Sequence, residues 1–200
     1  MAKAADEDAP AKPRKRRGRL LAEWAVLLVI AAVLAVGIRE FVFETFFIPS
    51  TSMVPTLDPN DRLIVQKAFF NWHDVRQGDI VVFTHPPRDT DCSGPPEDDL
   101  VKRVIALPGQ TIYSSGNTVY VDGRPLGEPY LPAGQPLGPP IPDATAQHPY
   151  RVPAGDLYMM GDNRPISCDS RYWGPITGKS IVGKVDLLWW HNGRPDFHVF

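Results

Sequence analysis

The 200-residue sequence has few of the side chains that bind metal ions or support histidine-dependent catalysis. It contains two cysteines and five histidines, and no pair of them has the spacing of a zinc motif. The histidines are His73, His85, His148, His191 and His198. No neighbouring residue marks any of them as a member of a Ser-His-Asp triad. We therefore expect neither a metal ion nor another cofactor.

Basic residues are sparse outside the first 19 positions. Seven of the 21 Lys and Arg residues lie in those positions, together with three acidic residues. The rest of the chain has 14 basic and 20 acidic residues, a net charge of −6. A main domain of that charge is not expected to bind nucleic acid.

Long apolar runs are also missing, except at residues 20–38, where only Glu23 interrupts the run. A helix over this segment would be about 28 Å long, close to the hydrocarbon thickness of a bilayer. Six basic residues between positions 12 and 19 predict that its N-terminal end stays in the cytoplasm. We therefore predict a cytoplasmic tail (1–19), a single-pass plasma-membrane helix (20–38) and an extracytoplasmic domain (39–200).

A cleavable secretory signal is the alternative interpretation of this region. Ala35, Val36 and Gly37 place small residues at the spacing that such a signal requires. However, a second apolar patch follows at 41–48, which would be unusual at the start of a mature soluble protein. That patch suits a domain seated on the outer membrane surface, a buried first strand, or both.

The remainder of the sequence predicts a mainly β fold, an antiparallel all-β domain that follows the membrane helix. Short β-rich runs recur between Gly, Pro and Asp residues: RLIVQK, DIVVF, VKRVIAL, TIY, TVYVDG, DLYMM and KSIVGKVDLLWW. The acidic segment 85–99 and the proline-rich segment 124–151 interrupt the pattern and are predicted to be long surface loops. No repeat and no other helix longer than a few turns are expected.

Three segments contain residues suited to catalysis. Residues 49–56 are rich in hydroxyl groups, although Ser and Thr between prolines more often form turns. In a strand, Lys102 would share a face with Leu100 and Val104, and Arg103 would point the other way. If that face is buried, the pKa of Lys102 falls and its neutral amine can act as a base, whereas on an exposed edge strand the lysine has no such role. Residues 159–174 combine turn formers with two serines and alternating charges.

Four motifs within these regions resemble, in order, the sequence boxes of bacterial type I signal peptidases. They are PSTSMVPTL, GDIVVF, KRVIALPGQ and GDNRPISCDSRYWGPI. The resemblance implies a membrane-bound serine endopeptidase that cleaves exported preproteins after small residues at positions −1 and −3. It also implies contact with the lipid bilayer and proximity to the secretion translocon.

The resemblance assigns a role to each matching residue. The nucleophile falls on Ser52 and its general base on Lys102. The oxyanion hole falls on the Ser50 hydroxyl and the Ser52 backbone N–H, and Ser167 is expected to orient the lysine amine. Residues expected to support the site structurally are Asp162, Arg164, Asp169 and Arg171. Replacing Arg103 is expected to affect chemistry less. The chain departs from the commoner family pattern at Pro165, Ile166 and Cys168.

Two other functions share parts of this pattern. A self-cleaving repressor-type Ser-Lys protease would have a DNA-binding domain where this chain has an apolar helix. A non-catalytic anchored β-domain that binds envelope partners would need none of the hydroxyl and lysine residues for chemistry. Cleavage of a synthetic signal-peptide substrate distinguishes the second from an enzyme.

We predict a disulfide between Cys92 and Cys168, the only two cysteines, if the catalytic domain lies outside the membrane. The bridge would close a loop of roughly 75 residues and raise the free energy of unfolding by about 4 kcal/mol. Thiol titration of the denatured, unreduced protein should detect no free thiol, and the reduced sample should yield both. Two free thiols before reduction would rule the bridge out.

Overall fold

The chain divides into two compact units, residues 1–40 and residues 41–200. A computed structural model describes residues 14–41, 43–67, 70–87, 98–191 and 193–200. Helix α1, Arg14–Phe41, makes up the described part of the first unit and ends at the first residue of the second. Within it, Leu20–Gly37 is long and apolar enough to cross a membrane, with a mean hydropathy of 2.5 and exposed side chains throughout. The helix extends beyond the predicted 20–38 at both ends, because the flanking Arg and Lys residues also favour helix.

The regular elements described in the second unit are mostly strands. They are β1 Phe43–Phe47, β2 Arg62–Gln66, β3 Ile80–Thr84, β4 Asp99–Ala106, β5 Thr111–Ser115, β6 Thr118–Val121, β7 Arg124–Pro125, β8 Tyr150–Arg151, β9 Asp156–Met160, β10 Ile176–Thr177, β11 Ile181–His191 and β12 Arg194–Val199. One short helix, α2 Ser170–Trp173, and the single 3-10 turns Trp72–Asp74 and Gly178–Ser180 complete the described elements.

These strands form two antiparallel sheets. The larger sheet has the order β1-β2-β11-β3-β4-β9-β10, and β12 pairs with β11. The smaller sheet has the order β7-β6-β5-β8. Each β-rich run of the sequence forms a strand, and every strand pair is antiparallel. The prediction of a mainly β, antiparallel fold is therefore confirmed.

The apolar patch at 41–48 is divided between the surface and the core. Among the described strands, β1 lies at the end of the larger sheet and pairs with β2 alone. Phe47 is 54% exposed, whereas Ile48 is 2% exposed and packs beside Leu63 and Val65 of β2. Phe46 of β1 is partly buried against the same cluster, and Glu44 and Thr45 are exposed. The interpretation as a buried first strand therefore holds only in part.

Three apolar clusters form the core. The first lies around β2, β3 and β11 and includes Met53 and Leu57. The second lies around β3, β4 and β9 and includes Val104 and Met159. The third joins the smaller sheet to Ile105 and Met160. Strands β3 and β4 carry residues of more than one cluster, so their side chains are buried on both faces.

The proline-rich segment 124–151, here called the insert, is more than the surface loop that its composition suggested. Its two ends form β7 and β8, which pair with β6 and β5 of the smaller sheet. Its middle contributes Leu137, Ile141 and Ala144 to the third core cluster. Proline and glycine prevent regular structure here but do not prevent packing, so the expectation of a surface excursion was wrong for these three residues. Most of the other predicted loop, 88–97, lies outside the described residues.

Candidate active site

Ser52 lies at the surface of the first core cluster, on a segment that its neighbours hold in place. Met53 and Leu57 insert into that cluster, and both are fully buried. The Leu57 backbone N–H donates to the Met53 carbonyl at 3.0 Å, and so does that of Thr56 at 2.9 Å. Because its neighbour Met53 is anchored in the core, the half-buried Ser52 has little freedom to move.

Lys102 brings its amine to this serine from strand β4. Its Nζ donates to Ser52 Oγ at 2.8 Å and to the Val101 carbonyl at 3.1 Å. Lys102 is only 3% exposed, because β4 is an inner strand between β3 and β9. The structure thus joins two predicted site residues that are 50 positions apart in sequence.

Ser50 lies on the other side of the same hydroxyl. Its Oγ is 3.2 Å from Ser52 Oγ, within hydrogen-bond distance. Three of the predicted groups, the Ser50 and Ser52 hydroxyls and the Lys102 amine, therefore form one hydrogen-bonded series. Such a series can pass a proton from a hydroxyl to an amine and leaves a second hydroxyl beside the reacting oxygen.

Residues 161–174, here called the second loop, hold the serine segment from the opposite side. The Asn163 backbone N–H donates to the Ser52 carbonyl at 3.0 Å, and its side-chain amide donates to the Thr51 carbonyl at 3.1 Å. Gly161 makes this approach possible. A Cβ at this position would lie 2.2 Å from Ser167 Oγ and 2.4 Å from the Ser52 carbonyl oxygen.

Ser167 is close to the site but does not make its predicted hydrogen bond. It is 1% exposed, and its Oγ has no hydrogen-bond partner among the described residues. Its hydroxyl lies against Gly161, and the Lys102 amine contacts Ser52 and Val101 instead. The expected Ser167–Lys102 contact is therefore absent from this geometry. A buried hydroxyl without a partner is costly, so the group is available for a hydrogen bond after a small displacement.

The residue after the lysine, Arg103, forms a buried ion pair that the sequence did not reveal. It is 7% exposed, and its guanidinium binds Asp162 with two bonds, at 2.9 Å and 2.6 Å. It also donates to the Gly78 carbonyl at 2.7 Å, and Thr56 donates to the same aspartate at 2.5 Å. Arg103 therefore connects β4 to the second loop. Its removal is expected to disturb the site, in contrast to the smaller effect on chemistry expected from the sequence.

The other predicted structural residues also form buried ion pairs. Arg171 binds Asp169 through two bonds of 2.8 Å and 2.7 Å, and both side chains are inaccessible. Arg164 pairs with Glu128 of the insert, a residue that sequence reasoning missed. Glu128 lies in a proline-rich stretch, and its only sequence signal was an acidic residue beside Pro129 and Tyr130.

Cys168 of the second loop is disulfide-bonded. The predicted partner, Cys92, lies outside the described residues. The pairing of the two cysteines therefore stays a prediction.

An open cavity of about 380 Å³ lies beside the serine segment. It is lined by Val54, Pro55, Pro132, Ala133, Gly134, Gln135, Asn163 and Pro165. The serine segment, the insert and the second loop each contribute to its wall.

Comparison with known proteins identifies relatives along almost the whole chain. Residues 21–190 match the family described as signal peptidase, peptidase S26. A signal peptidase I from Leptolyngbya laminosa is 38% identical, over 92% of this chain and 87% of the relative. A probable signal peptidase I-1 from Synechocystis sp. is 45% identical, over 78% of this chain and 76% of the relative. The signal peptidase I of Bacillus caldolyticus is 38% identical, over 90% of this chain and 94% of the relative.

We predict that Asp162→Ala lowers the free energy of unfolding by about 3–5 kcal/mol, because it leaves the buried Arg103 charge without its partner. The exposed pair Glu44–Lys67 provides a matched control. Glu44→Ala should cost less than about 1 kcal/mol. Denaturant unfolding in detergent micelles measures both free energies of unfolding. Equal losses would show that the buried Arg103–Asp162 pair contributes no more to stability than an exposed pair.

Proposed function

The chain belongs to the signal peptidase, peptidase S26 family, and on this basis we propose that it is a membrane-bound serine endopeptidase with a Ser52–Lys102 dyad. Family membership supports the removal of signal peptides from preproteins. This function disagrees with both alternatives, the repressor-type protease and the non-catalytic binding domain. The dyad is inferred from one observation. The buried Lys102 amine lies 2.8 Å from the Ser52 hydroxyl, within reach for direct proton transfer.

In the proposed reaction, neutral Lys102 accepts the Ser52 proton while Oγ attacks the scissile carbonyl carbon. The carbonyl π electrons move to oxygen, and the resulting oxyanion accepts hydrogen bonds from the Ser50 hydroxyl and the Ser52 backbone N–H. When the C–N bond breaks, the Lys102 ammonium returns the proton to the leaving amine. Water then attacks the acyl carbon while Lys102 accepts a proton from it. When the ester C–O bond breaks, the Lys102 ammonium returns that proton to Ser52 Oγ, and the signal peptide leaves with a free carboxylate.

Burial is what makes a lysine usable as this base. The ordinary pKa of a lysine is about 10.4, so an exposed amine would be almost fully protonated at neutral pH. Removing an amine from water disfavours its charged form, so we expect burial to lower the pKa of Lys102. A displacement that brings the unpartnered Ser167 hydroxyl to the amine would fix the direction of its lone pair.

The proposed substrates are exported preproteins with small residues at positions −1 and −3 of the cleavage site. An enzyme acting on such substrates must work where they leave the membrane. The apolar helix α1 provides an anchor, and the basic residues at its N-terminal end favour a cytoplasmic N-terminus. We therefore place the catalytic domain outside the plasma membrane, beside the bilayer and near the secretion translocon.

We expect Ser52→Ala and Lys102→Ala each to lower kcat/KM for a synthetic preprotein by at least about 10³-fold, since neither member of the dyad can act alone. Cleavage is followed by mass spectrometry in detergent, and circular dichroism checks that each variant is folded. The exposed residues Ser115 and Lys179 provide matched controls, and their alanine variants should keep wild-type activity. Substantial activity in either dyad variant would contradict the assignment.

We expect kcat/KM to rise with pH and to level off well below the ordinary lysine pKa of about 10.4. The reason is that Lys102 acts only when neutral and its burial lowers the pKa, so activity is lost as pH falls through that lowered value. Initial rates measured from weakly acidic to alkaline pH test this expectation. Lys179→Ala should give the same profile, and a flat profile would argue against a lysine base.

A further inference from the structure

The insert contacts the charged residues behind the Ser52–Lys102 pair at several points along its length. Near its start, Glu128 and Tyr130 approach Arg164 and Arg103. Further on, Gln135 Nε2 donates to the Asp162 carbonyl at 2.8 Å. The Leu137 carbonyl then accepts from Arg171 at 2.5 Å. The insert thus binds the second loop through side chains and backbone, and its two ends are held in the smaller sheet.

Glu128 supplies the negative charge that the buried Arg164 requires. Arg164 is 1% exposed, and its Nη2 donates to the Glu128 carboxylate. Burial alone would lower the pKa of Arg164, but the hydrogen bond and charge of Glu128 outweigh that effect and raise it. The Arg164 Nε also donates to the Gly161 carbonyl at 3.1 Å. Glu128 therefore acts through Arg164 on the backbone that packs against Ser52.

Tyr130 contacts Arg103, the arginine that is paired with Asp162. Its ring centroid lies 3.8 Å from Arg103 Cζ, a distance at which a cation–π interaction is strong. Its hydroxyl donates to Glu128 Oε1 at 3.0 Å. Burial, followed by the charge of Glu128, raises the pKa of Tyr130, so the phenol keeps its proton and can donate it. Tyr130 thus connects the Arg103–Asp162 pair to the Arg164–Glu128 pair.

The backbone of the insert fits closely against the same loop. Gly138 has a φ of +75°, which favours glycine, and a Cβ there would lie 2.9 Å from both the Arg164 carbonyl oxygen and Pro165 Cα. Arg171, itself paired with Asp169, also reaches the Pro139 carbonyl at 3.3 Å. The two segments are in contact from Glu128 to Pro139, so the loop cannot shift without disturbing the insert.

We propose that Glu128 and Tyr130 are positioning residues for the Ser52–Lys102 pair, an inference that rests on the proposed function. Arg103 directly follows Lys102, and Asp162 directly precedes Asn163, whose N–H binds the Ser52 carbonyl. A shift of the Arg103–Asp162 pair therefore moves both reacting side chains. Because a misplacement of about 1 Å can cost about 100-fold in rate, such contacts affect turnover without touching the substrate.

The first test compares kcat and KM of the full-length chain in detergent for Glu128→Gln and Tyr130→Leu. Each should lower kcat by about tenfold or more and change KM by less than about twofold, because geometry is lost but substrate contacts are kept. Tyr130→Phe keeps the ring over Arg103 and should retain a kcat within about threefold of the wild type. Glu44→Gln, the same change in the exposed pair with Lys67, should leave both constants unchanged.

A double variant separates positioning from stability. Glu128→Met combined with Arg164→Met replaces the buried ion pair by apolar groups and should recover the thermal stability lost in Glu128→Gln. A positioning role predicts that kcat stays low in this stable protein. Recovery of kcat together with stability would show a purely structural role and overturn the proposal.

Two further outcomes would also overturn it, and each has a different meaning. Wild-type kcat in folded Glu128→Gln and Tyr130→Leu, with an active parent enzyme, would refute the positioning role and leave the proposed function intact. A wild-type chain that cleaves no preprotein would refute the proposed function, and the positioning role would be lost with it.

Discussion

The bidentate ion pair between Arg103 and Asp162 connects the two parts of the chain that the site requires. Arg103 belongs to the strand that carries Lys102, and Asp162 opens the loop that binds the Ser52 segment. Because both charges are buried, separating them would leave each without a partner of opposite charge, at a cost of several kcal/mol. The pair therefore resists any movement that pulls β4 away from the loop. The 2.8 Å contact between Ser52 and Lys102 depends on that resistance.

Lys102 itself is buried for a different reason. Strand β4 lies between β3 and β9, with its C-terminal residues buried on both faces, so a lysine in its middle must either be neutral or find a partner. Ser52 comes within reach because Met53 and Leu57 are fixed in the adjoining core cluster. Packing of apolar residues thus sets the position of the hydroxyl, and burial in the sheet sets the environment of the amine.

Local patterns in the sequence were sufficient to predict the strands and the apolar N-terminal helix. Short apolar runs bounded by turn residues mark β2, β3, β4 and β9, and one long apolar run marks α1. The family motifs indicated Ser52 and Lys102, which the structure brings together. The contacts of the insert could not be predicted. Glu128 and Arg164 are 36 residues apart, and no periodicity or motif relates them. The hydrogen bond expected between Ser167 and Lys102 is absent, because the direction of the Ser167 hydroxyl depends on the close approach of Gly161. Sequence composition does not reveal that approach.

Three buried arginines near the site are each paired with a carboxylate. Among the described residues, Arg103 is matched by Asp162, Arg164 by Glu128 and Arg171 by Asp169. An unmatched arginine would disfavour the ammonium form of Lys102, and an unmatched carboxylate would favour it. Because each of these arginines is paired at close range, none of them adds an unmatched positive charge to the site. The three ion pairs can therefore hold the geometry of the site firmly with no net charge among their members.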